Sequence, residues 1–184
     1  MPDSESERAK YERMWQHDQY RRKAPGESLV EDAINALGMQ SGDSVIDFGC
    51  GTGRPAAKLQ QRGMAVAGAD FADNCLDPGV SIPFYRACLW ELPQDLSADF
   101  GFCTDVMEHI PAYYVCNVLA EIKRTTRRGC YFQIATRPDV MGKLIGETLH
   151  MTVHDAERWR SQLAQHWDSV DAQEGKGWMK ATVR

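Results

Sequence analysis

The run from Ser44 to Gly53, SVIDFGCGTG, sets a carboxylate at the mouth of a glycine loop. Val45, Ile46 and Phe48 form a short apolar run suited to a buried strand, and Asp47 stands where the strand hands over to the loop. Gly49, Gly51 and Gly53 alternate, so three backbone positions lack a Cβ and can come close to a ligand. Helical signals follow at Pro55 and stop at Gly63. A strand, a tight turn and a helix N-terminus together form a pocket of the nucleotide type. Spacing narrows the ligand. A dinucleotide loop wants its third glycine where Arg54 stands, and a P-loop wants Gly-Lys-Ser/Thr, which is missing. Asp47 would repel phosphate and suits a cationic or amine-bearing ligand. The same glycines also serve as a plain strand-to-helix turn in any α/β domain.

Further along, Asp70 closes the apolar run AVAGAD. A carboxylate at a strand end can accept both hydroxyls of a ribose, or it can cap a helix. The segment FCTDVMEHIP brings Asp105, Glu108 and His109 together after another apolar run. His150 and His154 flank a short Met-Thr-Val stretch. A neutral imidazole can take a proton from a hydroxyl, an effect of about 10²–10⁴ in rate, yet a lone histidine also serves structure alone. Arg137 suits an acidic substrate or a helix cap.

These groups need a scaffold, and the alternation of elements supplies one. Helices are predicted over 6–22, 27–37, 55–63, 111–127 and 155–167, with Gly129 stopping the fourth. Strands are predicted over 44–48, 65–70, 82–89, 99–104 and 130–135, with two more around Gly175-Lys-Gly177. Such alternation implies a parallel α/β sheet with helices on both faces. The two closing strands are too close for a helical crossover, so the last must run antiparallel. At 184 residues the chain fits one domain, residues 1–184, with a helical lid over 1–40 and an α/β core over 41–184.

The pattern D-x-G-x-G-x-G at Asp47 resembles motif I of class I S-adenosylmethionine-dependent methyltransferases. That cofactor has a sulfonium and an ammonium and no phosphate, which suits Asp47. The resemblance runs over residues 41–184 and implies a Rossmann-like, seven-stranded, mostly parallel sheet with an antiparallel last strand. It implies that Asp47, Gly49, Gly51 and Gly53 hold the cofactor, that Asp70 takes the ribose and that Phe71 flanks the adenine. Many relatives place an acid where Cys88 stands. This departure moves adenine recognition to the Leu89 amide and to stacking by Trp90. The stretch from Asp105 to Pro111 resembles the family motif after strand four, shared with small-molecule O-methyltransferases such as those of ubiquinone biosynthesis. There Asp105 leaves the strand beside the methyl donor, and Glu108 and His109 face or brace the cleft. His150 is the expected base. Arg21, in a lid group with Tyr11, Trp15 and Tyr20, is expected to pair with the cofactor's carboxylate. No metal is assigned. Some relatives, among them small-RNA 2′-O-methyltransferases, do bind a divalent ion, which here would fall to Asp105, Glu108, His109 and His150 or His154.

Composition bounds the acceptor. The net charge is −5, which offers no broad basic field for nucleic acid or membrane. Six cysteines form no C-x-x-C pair and suit a reducing compartment, and the polar N-terminus is no signal peptide. The expectation is a cytoplasmic enzyme that O-methylates a small metabolite or a sugar or glycan precursor. An RNA methyltransferase and a non-catalytic S-adenosylmethionine-binding protein are the alternatives. The oligomeric state is not legible.

Overall fold

A computed structural model describes residues 4–184. Helices α1 (Ser4–Met14), α2 (Asp18–Arg21) and α3 (Val30–Leu37) precede β1 (Ser44–Phe48), α4 (Arg54–Gln61) and β2 (Ala65–Asp70). Then come β3 (Phe84–Arg86), β4 (Ala98–Thr104), α5 (Val115–Thr125), β5 (Thr126–Ala135), α6 (Ala156–Leu163), β6 (Val170–Gly175) and β7 (Trp178–Val183). The sheet has seven strands in the order β3-β2-β1-β4-β5-β7-β6. β1 to β5 pair in parallel, and β7 runs antiparallel between β5 and β6. The Rossmann-like architecture and its antiparallel last strand are as the sequence implies.

Side-chain alternation fixes the two faces. Val45, Phe100, Phe102 and Tyr131 pack under Val30, Ala33, Leu37, Ala56 and Leu59 of α3 and α4. Ile46, Phe48, Cys103 and Phe132 face the other way, against Leu119, Ile122, Trp159 and Leu163 of α5 and α6. Both faces are covered, so the central strands read as continuous apolar runs.

Some boundaries move. The predicted 6–22 helix breaks between α1 and α2, where His17 takes extended backbone angles. The break lays Trp15 over the glycine loop. Helix α5 does not extend to a stop at Gly129. The Thr125 and Thr126 hydroxyls both donate to the Ile122 carbonyl, so the helix turns straight into β5. Gly129 sits inside β5 at φ 144°, where the pairing with β4 shifts register. The third strand shrinks to three residues at the sheet edge.

The chain reverses direction across the sheet between β1 and β4. Open α/β sheets carry their ligand crevice at such a switch point, beyond the carboxyl ends of the strands. Asp47, Asp70 and Asp105 all lie at that edge. Among the described residues no helix is long and apolar enough to cross a membrane.

Candidate active site

A cavity of about 570 Å³ opens at this edge. That volume is within the range of roughly 300–1,000 Å³ common for small-molecule sites. Its wall has one end at β1 and β2 and a chemically distinct end at β4 and β5.

At the first end the loop after β1 folds back on β2. The Gly49 and Cys50 amides donate to the Ala69 carbonyl at 2.7 and 3.2 Å. Asp70 accepts from the Gly51 amide at 3.1 Å and from the Ala72 amide at 3.0 Å. Gly49 has φ 65° and Gly51 has φ 48°, and a Cβ on them would strike Val106 and Trp15. Only glycine meets both demands. Asp47 is 2% exposed, and its Oδ2 has no hydrogen-bond partner. Burial and the nearby Asp70 push its carboxyl well above the usual range; burial also raises Asp70, against the amides that donate to it. Two buried carboxyls at one wall form a site that a cation would satisfy.

Asp47, Gly49, Gly51, Asp70, Phe71 and Leu89 all line the cavity. Gly53 does not; it lies against Leu76 and Val80. Cys88 faces a second recess, with Arg8 and Arg86. Trp90 does line the cavity, and its ring stacks on Tyr114 with centroids 4.2 Å apart. Arg21 is likewise outside the wall. Its guanidinium donates to Asp77 at 2.7 Å and to the carbonyls of Cys75, Trp15 and Asn74. Asp77 also accepts from Arg54 at 2.7 Å, so this acid clamps α2 to α4.

The second end gathers Asp105, Glu108, His109 and His150. Asp105 takes a left-handed backbone, φ 53°, and its amide donates to the Gln133 carbonyl. That conformation is uncommon outside glycine and turns the chain sharply off β4. Burial pushes the Asp105 carboxyl up to about 6, against the side-chain hydrogen bond from Gln133 and the charge of Arg137. Glu108 is 0% exposed, and neither oxygen has a hydrogen-bond partner. Burial and Asp105 raise its carboxyl well above normal.

His109 and His150 meet edge to face with centroids 4.8 Å apart. His150 Nδ1 lies 2.7 Å from the Arg137 carbonyl oxygen, so Nδ1 carries the proton and Nε2 the lone pair. Burial, with His150 beside it, pushes His109 down to about 3. A ring nitrogen from each histidine and a Glu108 oxygen all lie within 4.8 Å of one another. His154 stands apart, against Trp159 with centroids 5.2 Å apart.

A sequence profile of a methyltransferase domain matches residues 15–182. The chain belongs to that methyltransferase domain family. It is an S-adenosylmethionine-dependent methyltransferase domain. This methyltransferase is 26% identical over 81 residues to the ubiquinone biosynthesis O-methyltransferase of Pseudomonas paraeruginosa. That stretch is 39% of this chain and 35% of the relative, so the match spans about a third of the relative's length. Among solved structures, the fold is similar to the 1,6-didemethyltoxoflavin-N1-methyltransferase of Burkholderia thailandensis, solved with bound 1,6-didemethyltoxoflavin and S-adenosylhomocysteine. The TM-score is 0.72 at 18% identity, covering 100% of this chain and 91% of that one. It is also similar to the magnesium protoporphyrin IX methyltransferase of Synechocystis PCC 6803, solved with S-adenosylhomocysteine. There the TM-score is 0.64 at 18% identity, covering 100% of this chain and 89% of that one.

The sequence reading missed the depth of α1's involvement. Glu7, Lys10, Tyr11 and Met14 are all buried and form one stripe of the helix. Glu7 and Lys10 pair at 2.5 Å, and Tyr11 reaches His109 and Phe71.

Proposed function

We propose that this methyltransferase transfers the methyl group of S-adenosylmethionine to a hydroxyl of a small-molecule acceptor. One observation carries the reading. A single cavity holds a buried carboxylate pair at one end, Asp47 and Asp70, and an imidazole pair at the other, His109 and His150. The first end suits the ammonium and ribose of the cofactor. The second suits an acceptor that must lose a proton.

The sulfonium is already a good leaving group, so the protein's main task is alignment. Holding two reactants in line is worth up to about 7–11 kcal/mol of the barrier. His150 takes the acceptor's proton through Nε2, because its Nδ1 proton is held by the Arg137 carbonyl. Asp105 and Glu108 brace this end. Arg137, exposed on the rim, suits an acceptor with an anionic group. The similarity to an O-methyltransferase of ubiquinone biosynthesis supports an oxygen acceptor. The test is transfer of labelled methyl into fractionated metabolites and, separately, into RNA. Label in a small hydroxyl compound supports the reading. Label confined to RNA, or to nitrogen, overturns it.

A second reading rests on Glu108. Its two unpartnered oxygens beside two imidazole nitrogens fit a divalent cation of the manganese or zinc type. Glu108, His109 and His150 would hold the ion, which would polarise the acceptor hydroxyl. Methyl transfer that survives a chelator refutes this reading, and loss restored by added metal supports it.

A further inference from the structure

The Tyr11 hydroxyl reaches the second end of the cavity from a helix 98 residues away in sequence. Its Oη lies 2.7 Å from His109 Nδ1 and 3.3 Å from the Leu149 carbonyl oxygen. Both contacts are shielded, with Tyr11 only 7% exposed. Burial, Tyr20 and the acids Glu7, Glu108 and Asp139 hold this phenol well above its ordinary range, so it keeps its proton. One proton cannot serve two acceptors. The Leu149 carbonyl can only accept. The arrangement that satisfies all three atoms runs from His109 Nδ1–H to the Tyr11 oxygen, and from the Tyr11 hydroxyl to Leu149. The opposite assignment leaves two buried oxygens facing each other with no proton between them.

We propose that Tyr11 is a positioning residue for methyl transfer: it locks His109 in the Nδ1–H tautomer and leaves Nε2 bare, so the imidazole is set only when α1 is seated. This rests on the reading of the His109 end as the acceptor centre. It links the lid to the chemistry. Tyr11 also touches Phe71, with ring centroids 5.4 Å apart, so the same side chain reports on both ends of the cavity. A bare Nε2 is what either a base or a metal ligand requires.

The test is Tyr11→Phe, which keeps the ring and removes only the hydroxyl. At neutral pH the ¹⁵N spectrum of His109 reads which ring nitrogen carries the proton. Histidine-labelled wild-type protein should show Nδ1 protonated. The variant should show a shift toward Nε2–H, a fall in kcat of at least about tenfold, and unchanged S-adenosylmethionine affinity. An unchanged tautomer overturns the proposal, whatever the rate does. A shifted tautomer with unchanged kcat also overturns the positioning role, but its cause is then that His109 plays no part at the acceptor end. A failure of the acceptor assignment itself shows separately, as wild-type protein that transfers no methyl to any hydroxyl compound.

Discussion

The Asp70 carboxylate accepts the Gly51 amide at 3.1 Å, which makes the end of β2 and the glycine loop one rigid unit. The loop cannot move without disturbing the acid that faces the cavity. Trp15 closes the unit from above, over the bare Cα of Gly51. A β-carbon at Gly51 would lie 2.8 Å from that indole, at a backbone angle of φ 48°. Gly51→Ala should therefore cost about 1–3 kcal/mol in stability. It should also weaken S-adenosylmethionine binding by at least about tenfold, or about 1.4 kcal/mol. Denaturant melts and titration calorimetry would check both numbers.

Glu108 pits stability against function. A fully buried carboxyl with two unpartnered oxygens is destabilising when ionised. Glu108→Gln should raise stability by about 1–3 kcal/mol at pH 8, or about 2–4 °C in Tm per kcal/mol. The sign follows from the raised pKa values. The fold prefers the protonated acids, so the wild type is stabilised below about pH 4 and loses that contribution as pH rises through about 6, where Asp105 ionises. The gain from Gln should thus shrink in acid. Methyl transfer should fall at every pH. Thermal melts from pH 4 to 8 would read the first effect and labelled-methyl assays the second.

His150→Ala should lower kcat by about 10²–10⁴ while leaving cofactor affinity unchanged. The wild-type imidazole touches the Arg137 carbonyl on one side and the His109 ring on the other, and neither belongs to the Asp47–Asp70 end. His154→Ala, at a ring packed on Trp159, should leave kcat within about threefold of wild type. Equal losses for both variants would count against the assignment.

Asp77 joins Arg21 of α2 to Arg54 of α4. Asp77→Asn should loosen the N-terminal helices and raise the KM for S-adenosylmethionine more than it lowers kcat. The two arginines hold the Asp77 carboxyl below its usual range, though burial opposes them. Its contribution is therefore full above about pH 4 and fades as pH falls through the lowered value. Protection of α1 and α2 amides from hydrogen exchange, followed at pH 7 and pH 3, would show whether the clamp behaves so.

Much of the scaffold was legible because apolar runs end in acids. Val45, Ile46 and Phe48 in β1 and Val66, Gly68 and Ala69 in β2 are buried, so the runs read as strands without a polar phase, and Asp47 and Asp70 stand at or beside their ends. The placement of the N-terminal residues was not legible. The buried stripe of α1 is half charged, since Glu7 and Lys10 neutralise each other, and this hides it from a hydrophobic pattern. Tyr11 finds its partner 98 residues away, a relation no local spacing encodes. Arg21 looked free for a carboxylate, but Asp77 occupies it. Gly129 read as a helix stop because a register shift inside a strand also calls for glycine.

On the reading proposed above, the Asp47–Asp70 end binds S-adenosylmethionine. Its most direct test is calorimetric binding of S-adenosylmethionine, S-adenosylhomocysteine and NAD to wild type and to Asp70→Asn. Both sulfur compounds should bind the wild type, NAD should not, and Asp70→Asn should weaken both by at least about tenfold. Tight binding of NAD without S-adenosylmethionine, or an Asp70→Asn variant that binds as well as wild type, would contradict it.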